Sequence, residues 1–223
     1  MTKSGLGDLD LVIFDCDGVL VDSEVISNEA LTRALSSEGL AMTLQETRRD
    51  FQGLLLADIA ARAEAELGRK LPGDWPERYE RDRDEAFRRE LRPVSGAAEA
   101  VQRISAAGVA ICVGSQAKLK KIRLSLGLTG LRDLFDADAL FSSYSVPRGK
   151  PYPDVFLHAA AAMNAEPSRS VVVEDSVSGV TAAVSAGMRV FGYVADSDEQ
   201  ALRAAGAETL RSLEELPSLL GVS

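Results

Sequence analysis

Two aspartates, Asp15 and Asp17, stand one residue apart where the run Leu9-Asp10-Leu11-Val12-Ile13-Phe14 meets Gly18. Folding gains little from a buried strand that ends on charge, and ligand sites on parallel sheets lie at such strand ends. Carboxylates placed there can hold a cation, attack as a nucleophile or carry a proton. Three more stretches repeat the pattern. Val109-Ala110-Ile111-Cys112-Val113 runs into Gly114-Ser115-Gln116-Ala117, with a helix expected from near Lys118. A hydroxyl and amides at a helix N-terminus make an anion site. Arg148-Gly149-Lys150-Pro151-Tyr152-Pro153-Asp154 sets a lysine in a stiff turn, a point charge suited to a phosphate oxygen. Val171-Val172-Val173 stops on Glu174-Asp175-Ser176. Four strands would thus bring Asp15, Asp17, Ser115, Lys150, Glu174 and Asp175 to one edge. Oxygen-only ligands of this kind select a hard cation, most simply Mg²⁺.

The elements that must position these residues follow from periodicity. Residues 9–14 read as a buried strand. From Asp22 to Arg92 the pattern is helical: Asp22 and Ser23 are good N-caps, and Ile26, Ala30, Leu31, Ala34 and Leu35 form a stripe at helical spacing, as do Ile59, Ala63 and Leu67. The stretch 77–92 is nearly all charge, with Arg78–Asp82, Arg81–Glu85 and Asp84–Arg88 four apart, which predicts an exposed helix. After Pro93, strands at 109–113, 140–141, 171–173 and 189–191 alternate with helices at 97–106, 117–125, 154–163 and 177–186. Such alternation implies an α/β, Rossmann-like parallel sheet with helices on both faces. The predicted organisation is a core of residues 1–21 and 93–223, interrupted after its first strand by a small all-helical domain, residues 22–92.

Composition narrows the function. The chain of 223 residues carries a net charge of −9, which speaks against a nucleic-acid partner, since phosphate backbones select a basic face. A small anionic substrate remains open, because a metal and a lysine reverse the charge locally. No apolar stretch reaches the roughly 18–20 residues of a membrane span, and the first eleven residues do not read as a signal peptide. Cys16 and Cys112 form no Cys-x-x-Cys pair, so zinc and redox sites are not expected; two reduced thiols suit a cytoplasmic setting. Asp15-x-Asp17-Gly18 could open a calcium loop, but the sixth and twelfth positions would be Leu20 and Ile26 rather than Gly and Glu. His158, the only histidine, is read as surface or core, Cys16 as core, and Trp75 as part of the helical domain.

The four motifs, in this order, resemble the haloacid dehalogenase superfamily over nearly the whole chain. The start Asp15-x-Asp17-Gly18-Val19-Leu20-Val21-Asp22-Ser23-Glu24 and the helical insert are similar to its β-phosphoglucomutase and phosphoglycolate-phosphatase branch. The resemblance implies that Asp15 is the nucleophile and forms an aspartyl-phosphate. It implies that Asp17 protonates the leaving oxygen and then activates water. Ser115 and the Gln116 amide would hold phosphate oxygens, and Lys150 would neutralise the transferring group. Asp15, the Asp17 carbonyl and Asp175 would hold Mg²⁺, with Glu174 as a direct ligand or acting through water. The Lys150–Pro151 bond is often cis in this branch.

Asp17 argues against dehalogenation, because the dehalogenases of the superfamily lack the second aspartate. The mutases of the branch carry a histidine where Ser27 stands, and a basic loop where this chain has Phe51-Gln52-Gly53-Leu54-Leu55-Leu56-Ala57-Asp58. That loop, with Gly53 as a substrate-binding position, is expected to choose the substrate. The expected activity is phosphatase action on a small phosphorylated metabolite, a sugar or sugar-acid phosphate. A sugar-phosphate mutase and a non-catalytic binding protein of the same fold are the alternatives. Leu140–Lys150 and Met188–Asp196 look most like bacterial sugar-acid phosphatases of the 6-phosphogluconate type. The expected assembly is a monomer or a small homo-oligomer.

Overall fold

A computed structural model describes residues 9–51, 53–194 and 197–222. Readings that touch residues 1–8, Gln52, Ala195, Asp196 or Ser223 lie outside the described residues. The strands are β1 (Leu11–Phe14), β2 (Ala110–Ser115), β3 (Leu140–Ser142), β4 (Ser170–Glu174), β5 (Arg189–Tyr193) and β6 (Glu208–Leu210). The helices are α1 (Glu24–Ser37), α2 (Leu44–Phe51), α3 (Leu56–Leu67), α4 (Trp75–Glu90), α5 (Ala97–Ala106), α6 (Leu119–Leu128), α7 (Asp154–Ala162), α8 (Val177–Ser185), α9 (Glu199–Ala205) and α10 (Leu216–Leu219). The chain divides into two compact units, one of residues up to Val21 together with those from Pro93 onward, the other Asp22–Arg92.

In the first unit the strands form one parallel sheet in the order β3-β2-β1-β4-β5-β6. β1 is central: Phe14 is registered with Val113 on one side and Val173 on the other. All four of its side chains are fully buried, which explains the unbroken apolar run, since a strand covered on both faces has no polar side to present. Leu11 and Ile13 share a face and pack with Cys112, Val172, Phe156 of α7 and Val180 of α8. On the other face Phe14 meets Phe135 edge-on, with ring centroids 6.4 Å apart. The chain moves from β1 to β2 on one side and places β4 on the other, so the sheet order reverses at β1. Ligand crevices in open α/β sheets lie outside the strand C-termini at such a reversal.

The Asp22–Arg92 unit is helical, with its own core of Leu31, Leu35, Phe51, Ile59, Trp75 and Tyr79. Trp75 and Tyr79 stack, centroids 5.9 Å apart, and the indole Nε1 donates to Ala34 O. Ser23 occupies the N-cap position of α1 without a side-chain capping bond. The expectation of an exposed helix at 77–92 fails in one respect. Arg83 and Asp84 on α4 are buried and paired at 2.6 Å, with the guanidinium over the Tyr79 and Phe87 rings. The aromatic faces take up the cation where water would otherwise have to. Three elements escaped the sequence reading: α9, the four-residue helix α10 and the three-residue edge strand β6.

Candidate active site

The loop after β1 is tied to the sheet at once: Asp15 N donates to Val173 O at 2.9 Å, and Gly18 N to Val21 O at 2.9 Å. Gly18 has φ +80°, and a Cβ there would fall 2.0 Å from Asp175 Oδ2. The glycine therefore serves two purposes, a left-handed turn that L residues resist and room for the Asp175 carboxylate. Cys16 points into the core, 1% exposed, and its neighbours Asp15 and Asp17 flank the turn. Burial pushes its thiol well above the usual range, so it is an inert packing group.

Asp15 is 6% exposed and meets Lys150 Nζ at 2.5 Å. The same ammonium donates to Glu174 Oε1 at 2.6 Å and to Gly114 O at 3.0 Å. Lys150 is held at its backbone too, its N–H donating to Gln116 Oε1 at 3.0 Å, across a cis Lys150–Pro151 bond. Burial raises the Asp15 pKa to about 7; Lys150 opposes that rise, and Glu174 and Asp17 add to it. For Lys150, burial works against the charged form, but the facing carboxylates of Asp15 and Glu174 hold its pKa above the ordinary lysine value. Glu174 is engaged on both oxygens. Oε2 accepts from Asp175 N at 3.0 Å, Ser176 N at 2.9 Å and Ser176 Oγ at 2.9 Å. Gly179 makes room for it, because a Cβ there would stand 1.9 Å from Glu174 Cδ.

Ser115 ends β2, buried, and its Oγ accepts from Ala117 N at 3.1 Å. The helix it precedes starts at Leu119, with Lys118 as N-cap, so Ser115 belongs to the strand end and not to the cap. Gln116 lies in the turn between them, its side chain directed at Lys150. Gly53 lies in the other unit, in the turn between α2 and α3, with φ +78°. His158 is exposed and stacks edge-on against Phe141.

One polar partner was missed from sequence: Lys121 on α6, whose Nζ donates to Asp17 Oδ1 at 2.7 Å. It sits in the run Lys118-Leu119-Lys120-Lys121, where composition does not distinguish one lysine from the next. The only available signal was its place in the first turn of the helix that follows Ser115. Ser197 was missed as well; its Oγ donates to Asp175 O at 2.5 Å.

Among the described residues no group of three or more His, Cys, Asp or Glu side chains is arranged to hold a metal. Lys150 stands between Asp15 and Glu174, which keeps those two carboxylates from converging. The Gly18 turn, however, makes room for the Asp175 carboxylate where any Cβ would clash with it, and Asp15 and Asp175 both offer hard oxygens. That chemistry suits a small divalent cation completed by backbone carbonyl and water.

A parallel α/β sheet with two aspartates, a lysine and a strand-end serine at its switch point defines an enzyme that handles an anionic group. Residues 9–187 match the family described as haloacid dehalogenase-like hydrolase. The chain is similar to the 6-phosphogluconate phosphatase of Escherichia coli (strain K12), 34% identical over 212 residues that cover 95% of this chain and 94% of that protein. It is 30% identical over 219 residues to the phosphorylated carbohydrates phosphatase of Thermotoga maritima, covering 95% and 98% of the two chains. Among solved structures, a haloacid dehalogenase family hydrolase of Deinococcus radiodurans with bound phosphate and sodium superposes with a TM-score of 0.76 at 32% identity, over 96% of this chain and 95% of that one. The chain belongs to the haloacid dehalogenase-like hydrolases, in the branch of the β-phosphoglucomutases and phosphatases.

Proposed function

We propose that this protein is a Mg²⁺-dependent phosphatase that hydrolyses a sugar or sugar-acid phosphate through an aspartyl-phosphate on Asp15, with 6-phosphogluconate the first candidate substrate. The observation that carries the reading is the buried Asp15–Lys150 pair at 2.5 Å, anchored by Glu174 at 2.6 Å. A carboxylate attacks a phosphate dianion only when cations cancel their repulsion, and this lysine is fixed where that cancellation is needed. The names of the E. coli and T. maritima relatives support the substrate class.

Asp15 attacks phosphorus, the ester P–O bond breaks, and the leaving oxygen takes a proton from Asp17. Water then attacks phosphorus, gives its proton to Asp17 and frees Asp15. Ser115 and the Gln116 amide bind the phosphate oxygens. Asp15, the Asp17 carbonyl and Asp175 would hold Mg²⁺, which supplies further charge neutralisation when bound. Glu174, both of whose oxygens already accept hydrogen bonds, would support the metal through water. Gly53 and its loop contribute to substrate choice. Two free, buried cysteines accord with a cytoplasmic protein.

The test is a panel of sugar phosphates, sugar-acid phosphates, phosphoglycolate and nucleotides, assayed for phosphate release with and without Mg²⁺, alongside Asp15→Asn. Metal-dependent release that Asp15→Asn abolishes is expected. Isomerised sugar phosphate without net release would assign the protein to the mutases instead, and no turnover of any member would leave it a binding protein.

A further inference from the structure

Lys121 lies outside the family's motifs and yet meets the second aspartate. Its Nζ is 2.7 Å from Asp17 Oδ1, across 104 residues of chain. The two side chains are part-buried, 15% and 23% exposed, so the ammonium is held close to the carboxylate with limited screening by water. Asp15, one residue from Cys16, is served by another lysine altogether, Lys150, from the loop that follows β3. Lys150 is shared among Asp15, Glu174 and Gly114 O. Asp15 thus meets a lysine from the β3–α7 loop and Asp17 one from α6.

We propose that Lys121 is a positioning residue for proton transfer at Asp17, an inference that rests on the phosphatase reading above. In the first half-reaction the Asp15–phosphorus bond forms, the ester P–O bond breaks, and the Asp17 carboxyl proton passes to the leaving oxygen. Negative charge develops on Asp17 as that proton departs, and it develops beside the Lys121 ammonium. An interaction that strengthens along the reaction coordinate lowers the barrier. In the second half-reaction water's oxygen bonds to phosphorus, its proton passes to Asp17, and the Asp15–phosphorus bond breaks. Lys121 then holds the plane of the Asp17 carboxylate to receive that proton. Placement on α6, just after the Ser115 turn, couples this orientation to the element that binds the phosphate.

The experiment is a comparison of leaving groups. The ratio kcat/KM reports steps up to departure of the leaving group. An alkyl phosphate such as a sugar phosphate needs its leaving oxygen protonated, whereas p-nitrophenyl phosphate leaves as a stable anion. Lys121→Met, with Lys121→Gln as a second variant and a thermal melt to verify folding, is expected to lower kcat/KM for the alkyl ester about tenfold or more. That loss should fall short of the roughly 10²–10⁴ ascribed to a general acid removed outright. The p-nitrophenyl ester should be little affected, and Lys121→Arg should restore much of the loss. In an Asp17→Asn background Lys121→Met should have no further selective effect. Equal losses on both esters, or none on either, would overturn the positioning role. If Asp17→Asn alone shows no leaving-group selectivity, the fault lies with the role given to Asp17, which separates that failure from a failure at Lys121.

Discussion

Replacing Gly179 by alanine sets helix propensity against the geometry of the site. Gly179 lies inside α8, where alanine is favoured over glycine by about 1 kcal/mol. Its added Cβ would stand 1.9 Å from Glu174 Cδ and from Oε1, the oxygen that receives Lys150. Ordinary contact begins near 3.4 Å, so the Glu174 carboxylate would have to retreat by roughly 1.5 Å. A bond of 2.6 Å to Lys150 does not survive that shift, nor do the bonds from Ser176. Breaking a buried pair costs about 3–5 kcal/mol. The net expectation is a loss of about 2–4 kcal/mol after the propensity gain, or about 5–15 °C in Tm for a chain of this size. Phosphatase activity should fall with it, because Lys150 loses one of its two carboxylate anchors. Gly127 in α6 is the internal control, since a Cβ there meets nothing within 4 Å. Gly127→Ala should be neutral or raise Tm slightly. Calorimetry and kcat on both variants decide the matter. A Gly179→Ala protein as stable and active as Gly127→Ala would mean that Glu174 does not need the space Gly179 leaves.

Other outcomes follow from the same geometry. Gly18→Ala meets both a left-handed φ of +80° and the Asp175 carboxylate, so it should abolish activity and any Mg²⁺-dependent rise in Tm, read by parallel melts. Saturating Mg²⁺ should raise the wild-type melting temperature, since binding at about 100 times Kd stabilises by about 2.7 kcal/mol; an unchanged curve would count against the metal site. With the Asp15 pKa raised to about 7 by burial, a proton occupies that carboxyl below neutrality and must leave before a metal binds. Mg²⁺ affinity should therefore weaken about tenfold per pH unit below 7 and level off above it; titration calorimetry that finds a pH-independent Kd would contradict this. In the helical unit, Arg83→Met leaves buried Asp84 without its 2.6 Å partner and should cost about 3–5 kcal/mol in urea unfolding, whereas replacing both residues by apolar ones should cost much less.

The candidate site was legible because its residues stand at strand ends. Apolar runs that stop on Asp15, Ser115 and Glu174 leave few other positions for those groups, and each strand named from its sequence is in the sheet. What escaped has physical causes. Lys121 is one of three lysines within four residues, and only the three-dimensional return of α6 toward the Asp17 loop singles it out. Arg83 and Asp84 vanished into a run of charge, although Trp75, Tyr79 and Phe87 recur at helical spacing and carry position 83 onto the same buried face. β6 has three residues, the first of them an exposed glutamate paired with Arg189, too short for alternation to register.

In the proposed reaction Asp15 becomes phosphorylated during turnover. Mixing the enzyme with a turned-over sugar phosphate and Mg²⁺, quenching in acid within the first turnover and mapping the peptides by mass spectrometry addresses it directly. A phosphoryl group on the peptide carrying Asp15, labile to base and absent from Asp15→Asn, is the predicted result. Steady phosphate release by the wild type with no phosphoryl adduct at any quench time, or release undiminished in Asp15→Asn, would contradict it.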